Sequence, residues 1–138
     1  MPNAPININP LDLEPDIAIG INLPMDNFNG PGLQSTYFTK DQVKANILNL
    51  FSTMIGERVM QPAFGTYLYH LLFEQDTAHL KEKRIRDEVD RALGIWIPQV
   101  KVTSVSFPKI TDENSISITV SYKIPNFNIE DELTLEVQ

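Results

Sequence analysis

The chain is 138 residues long, 42% apolar and 21% charged, with a net charge of −7 and no cysteine; it has room for one domain with a real core, and disulfides, thiol catalysis and cysteine-based zinc sites are excluded. No stretch approaches the roughly 20 consecutive apolar residues that span a bilayer, and the start MPNAPININP lacks the positive end and apolar run of a secretory signal, so a protein that stays in the cytoplasm is expected. No Lys or Arg precedes Lys40, and the one dense basic cluster, Lys81, Lys83, Arg84 and Arg86, is interleaved with Glu82, Asp87, Glu88 and Asp90. That mixture is the solvated face of a helix stitched by i to i+4 pairs, not a phosphate-binding surface, and nucleic-acid binding is not expected.

Six of the ten prolines fall within the first 31 residues, a density that prevents regular helix or central strand, so residues 1–38 read as an extended arm. Within it Ile17, Ile19, Ile21 and Leu23 alternate with smaller or polar residues, which predicts a short half-buried strand near 17–23 able to pair at a sheet edge. For residues 1–15 a loosely attached tail is the alternative. A domain spanning 39–138 follows. Thr39-Lys40-Asp41-Gln42 has the spacing of a capping box, and Val43, Ile47, Leu50, Phe51 and Met54 recur at helical period, predicting a first helix from about 40 to 55 that Gly56 stops. Pro62 and Gly65 bracket a connection to Tyr67, Leu68, Leu71 and Leu72, a helix of one or two turns. A third helix is predicted from Asp76 or Thr77 to Leu93, with Ile85, Val89, Ala92 and Leu93 inward and Gly94 as its end.

After Pro98 the period becomes two. Val100 and Val102 alternate, the phase slips at Thr103 and Ser104, and Val105 and Phe107 resume it, as a bulge would cause. Ile116, Ile118, Val120, Tyr122 and Ile124 alternate without fault after a turn at Asp112, Glu113 and Asn114, and Ile129, Leu133, Leu135 and Val137 follow the turn Pro125-Asn126-Phe127-Asn128. Helices followed by strands make an α+β domain, three helices over a three-stranded antiparallel meander.

No phosphate-binding glycine loop, no G-x-S-x-G and no metal-binding histidine pair is present; His70 and His79 lie on different predicted helices, and no turn marks a nucleophile. Glu57 and Glu74 flank apolar runs and are the natural carboxylates for cell-wall hydrolysis, which needs an acid with a raised pKa and a second, ionised carboxylate. Charge pairing with Arg58 and helix capping explain the two more simply.

The segment GERVMQPAFGTYLYHLLFE, with Gly56, Glu57, Arg58, Met60, Pro62, Phe64, Gly65, Leu68, Phe73 and Glu74, resembles the shared motif of the GPW family of phage baseplate wedge proteins, also described as tail lysozyme-like. The likeness extends over roughly residues 16–137. Physically the motif reads as a folded connector with Met60, Phe64, Leu68 and Phe73 as apolar anchors, in which Arg58 is expected to pair with a carboxylate such as Glu74. The resemblance implies a structural subunit of a contractile tail that links the wedge core to the first sheath ring and anchors or initiates the sheath, without cofactor, metal or catalytic residue. It implies other wedge proteins, the tail sheath protein and tail tube or hub proteins as partners, with no nucleic acid and no membrane, and a place in the virion tail baseplate after assembly in the host cytoplasm. It further implies strand exchange with the sheath through the sheet, at Val100, Val102, Leu133, Leu135 and Val137. Shielding of that edge by the N-terminal arm is the simpler reading, with Asp131 and Glu132 discouraging unwanted pairing. Many members carry Glu-Pro-Arg where they contact the wedge core; here Ile97-Pro98-Gln99 keep only the proline, which shifts the expected contact to apolar and amide groups with Trp96 as anchor. The alternative is a peptidoglycan-degrading enzyme using Glu57 and Glu74.

Overall fold

The computed structural model describes residues 8–23, 34–75, 77–107 and 116–137. Along the chain come a 3-10 turn (Pro10–Leu13), β1 (Gly20–Ile21), β2 (Ser35–Thr36), α1 (Thr39–Ser52), α2 (Leu68–Phe73), α3 (Ala78–Trp96), β3 (Lys101–Ser106), β4 (Ile116–Ile124) and β5 (Ile129–Val137). The last three form an antiparallel sheet in the order β3-β4-β5. This is the expected α+β domain, with three helices and a C-terminal meander.

Period-two patterning builds the sheet. Ile118, Val120, Tyr122 and Ile124 are buried on one face of β4, while Ser117, Thr119, Ser121 and Lys123 lie on the other. Against the apolar face pack Val43, Ile47, Leu50 and Phe51 of α1, Leu68 and Leu72 of α2, and Ile85, Val89, Ala92 and Leu93 of α3. The predicted phase slip in β3 is a bulge: Val102 pairs with Tyr122, Ser104 with Ser121, and Thr103 is the extra residue. Without it, Val105 would point away from the core it fills. The turn at Pro125–Asn128 is also as predicted, closed by hydrogen bonds from the Phe127 and Asn128 amides with Asn128 at φ 51°. The turn expected at Asp112, Glu113 and Asn114 lies outside the described residues.

Helix ends depart from expectation. α1 stops at Ser52, where Thr53 is extended and its hydroxyl donates back to the Asn49 carbonyl at 2.7 Å, so Gly56 does not end it. α3 runs through Gly94 to Trp96. A glycine inside a helix costs about 1 kcal/mol and is outvoted here by buried neighbours; Pro98 is what stops the helix, because it disfavours α geometry in the residue before it. The start of α3 was expected at Asp76 or Thr77; Thr77 is its N-cap, and Asp76 lies outside the described residues.

The capping box at Thr39 and Gln42 does not form. Phe38 is the N-cap, and both the amide and the hydroxyl of Thr39 donate to the Asp12 carboxylate at 2.8 Å, while Asn9 donates to the same hydroxyl at 2.9 Å. A carboxylate at a helix N-terminus is a stronger acceptor than a local hydroxyl, so the arm caps the helix from a distance. Gln42 turns instead to the Thr36 hydroxyl at 2.5 Å and to Asn46 at 2.8 Å. The strand expected over 17–23 shortens to Gly20–Ile21 and pairs with Ser35–Thr36, not with the edge of the meander.

Asp131 interrupts the inward residues of β5. It faces α1, with Lys40 at 3.7 Å and Lys44 at 3.9 Å. Tyr122 lies opposite it in the ladder, and burial, then the neighbouring carboxylate, holds its phenol well above the usual range. Replacing the remote cap, Asp12→Ala, is expected to lower stability by about 1 kcal/mol and to speed hydrogen exchange in the first turn of α1, as thermal unfolding and amide exchange would record.

Candidate functional site

Between α1 and α2 the chain doubles back on itself. The Thr66 amide donates to the Thr53 carbonyl at 2.9 Å, Ile55 to Thr66 at 3.4 Å, and Gly56 to Pro62 at 2.8 Å. Two glycines make this path possible. Gly65 sits at φ 123°, and a Cβ there would lie 2.6 Å from the Thr53 oxygen; Gly56 sits at φ 90° with open space around it. At the tip a turn from Arg58 to Gln61 leaves Val59 and Met60 at its corners, 94% and 96% exposed.

Arg58 braces this loop by stacking. Its guanidinium carbon lies 4.0 Å from the Phe64 ring centroid and one of its nitrogens donates to Asn49 at 3.1 Å. Phe64 in turn meets Trp96 edge-on at 5.1 Å. The expected partner Glu74 is taken by Arg84 at 2.8 Å, because α3 brings that guanidinium closer. Glu57 is equally occupied, accepting the Met54 amide at 2.9 Å. Both carboxylates are exposed, so neither has the apolar setting that a cell-wall acid needs.

The structure also revises the anchors. Leu68 is buried and Phe64 half-buried, but Met60 is exposed and Phe73 is 66% exposed. Trp96 is held in the stack under Phe64 and does not project; beyond it Ile97 is buried, and Pro98 and Gln99 are exposed. The connector and the end of α3 thus meet through Arg58, Phe64 and Trp96. The strand residues lie elsewhere. Val100 precedes β3, Val102 is in β3, and Leu133, Leu135 and Val137 are in β5, the two edges of the sheet. Val100 and Leu133 are buried, so those edges offer backbone and not these side chains.

The mixed charges around Glu88 predict a solvated face, and its burial is what sequence reasoning misses. Glu88 accepts the Tyr67 amide at 2.9 Å and takes a two-point contact from Arg91 at 2.6 and 2.8 Å. Burial alone would raise its pKa, but the hydrogen bonds of Arg91 and Tyr67 and the charge of Arg91 overcome this and hold it below the ordinary value. At the other end of α2 the Lys81 ammonium donates to the Leu72 carbonyl. A carboxylate at the start and an ammonium at the end of α2 both suit its dipole and clasp it to α3. The available signal was position: Glu88 lies one turn from both Ile85 and Ala92 on the buried stripe.

These features define a class: a small α+β domain in which helices roof one face of a meander and a glycine-braced connector joins the first two. The sequence profile described as "Baseplate wedge protein gp25" matches residues 39–128, and the chain belongs to that family of structural baseplate components. Its fold is similar to that of a candidate tail lysozyme from Geobacter sulfurreducens, at TM-score 0.66 and 25% identity over 75% of this chain and 94% of that one. It is also similar to a chain of the anti-feeding prophage baseplate, at TM-score 0.53 and 16% identity over 76% and 72%. A chain of the post-contraction pyocin R2 baseplate matches at TM-score 0.48 and 21% identity over 85% and 96%. No curated protein sequence matches the chain.

Two substitutions separate close approach from backbone angle. Gly65→Ala is expected to cost roughly 3 kcal/mol, since strain and collision add, and Gly56→Ala about 1 kcal/mol, since only the angle is disfavoured; denaturant midpoints measure both. A group with a depressed folded pKa stabilises above its unfolded value and loses that contribution as pH falls, so Glu88 contributes fully above pH 4.5 and progressively less below it. Glu88→Gln should therefore cost about 1–2 kcal/mol at neutral pH, discounted because Arg91 is 39% exposed. In acid the two proteins should converge in stability.

Proposed function

We propose that this chain is a baseplate wedge subunit that joins the wedge core to the first sheath ring and anchors or initiates the sheath of a contractile injection machine, with no catalytic role. The observation that carries this reading is the family match over 39–128, which includes the connector, the loop after α3 and all of β3 and β4. In this reading the wedge core meets the exposed corners Val59 and Met60 together with Pro98 and Gln99, while Trp96 and Ile97 hold that surface in place from behind. Losing the two charges that many relatives carry beside the proline makes this an apolar and amide contact, which suits two bare apolar corners on a braced turn. The strand residues Val100, Val102, Leu133, Leu135 and Val137 border the edges through which a sheath strand would add. Tube or hub proteins are further partners, and the assembled product is the virion tail baseplate, put together in the host cytoplasm.

Co-expression with the neighbouring wedge subunits tests the first contact. Met60→Asp with Gln99→Asp should fold normally, by circular dichroism and thermal unfolding, and lose co-purification by about tenfold or more; a folded double variant recovered at full yield would refute the docking surface. A zymogram of the purified protein is expected to show no clearing of cell-wall substrate. Clearing that disappears in Glu57→Gln or Glu74→Gln would replace this reading with the enzymatic one.

A further inference from the structure

The two edges of the meander are chemically unlike. On β3 the ladder slips at Thr103, and the Arg86 guanidinium from α3 reaches the Val105 carbonyl at 3.5 Å. A bulge bends its strand and a side chain on the backbone occupies an acceptor, so a further strand meets an obstructed edge. Among the described residues β5 has neither feature: it pairs with β4 residue for residue from Ile129 to Val137 without a slip.

The faces of β5 are equally distinct. Away from the helices run Glu130, Glu132, Thr134 and Glu136, all exposed, opposite Lys123, Ser121, Thr119 and Ser117 of β4. Glu130 pairs with Lys123 at 2.8 Å. Glu132 and Glu136 face only serines, and among the described residues no cation within salt-bridge distance answers them. Toward the helices, Leu48, Phe51, Tyr69 and Leu135 line a concavity whose wall also includes Thr134 and Glu136. The hollow thus borders β5 at three consecutive residues, Thr134 to Glu136.

Resting on the strand-addition reading above, we infer that β5 is the acceptor edge and that the strand it takes is amphipathic and basic: Lys or Arg beside Glu132 and Glu136 on one face, and an apolar side chain entering the hollow beneath Leu135 on the other. The same glutamates disfavour the competing occupant, a second copy of this chain, because pairing β5 with itself sets carboxylates against carboxylates on a chain already at −7. The edge thus selects its partner by charge while the backbone ladder supplies adhesion.

The probe is a pair of acetylated, amidated peptides of the length of β5, alternating valine with lysine in one and valine with glutamate in the other, added to the full chain. The lysine peptide is expected to bind at least about tenfold tighter at low salt, with the gap closing as salt rises. Glu132→Lys with Glu136→Lys should reverse the preference, and amide exchange should slow at alternate residues of β5. Protection on β3 with none on β5 overturns the edge assignment and leaves strand addition standing. Protection on β5 with equal affinity for the two peptides overturns the charge selection alone. If neither peptide protects either edge, strand addition fails, and this inference with it.

Discussion

One carbonyl oxygen governs how this chain closes. The oxygen of Thr53, just past the end of α1, accepts the Thr66 amide, and the connector passes so close that residue 65 has no room for a side chain. That approach sets where α2 begins, and α2 carries Leu68 and Leu72 into the core over the sheet. It also leaves Arg58, Phe64 and Trp96 in register to stack, which ties the end of α3 to the same joint. A cation over a ring and an edge-on aromatic pair are each worth roughly 1 kcal/mol, so the brace directs the loop more than it stabilises the fold.

Clasping α2 is the second requirement. Six residues are too few to make a stable helix alone. The Glu88 carboxylate and the Lys81 ammonium supply at its two ends the partners that its orphan amide and carbonyl groups lack, from a neighbouring helix and not from caps of its own.

What the sequence disclosed follows from the range of each cause. Period-two alternation in β4, the slip at Thr103 and the inward stripe of α3 are local patterns that tertiary packing reinforced, and all were legible. Helix ends were misread where a distant group outcompeted a local signal: Asp12 took the hydroxyl of Thr39 that a capping box would use, and Gly94 lost to Pro98 as a terminator. The site was legible as a motif but not as geometry. Its glycines were marked, whereas the stack of Arg58 on Phe64, the exposure of Met60 and the burial of Glu88 depend on which elements the fold brings together.

The inward carboxylate of Asp131 has a consequence for how the last strand chooses its place. Each of its contacts with Lys40 and Lys44 is long and partly exposed, worth little as adhesion. Sliding β5 by one position would turn Asp131 to solvent, away from both ammonium groups, and drive Glu130 and Glu132 into the apolar layer under the helices. Asp131 therefore works as a key cut for one alignment, and its value lies in the misthreaded sheets it makes intolerable.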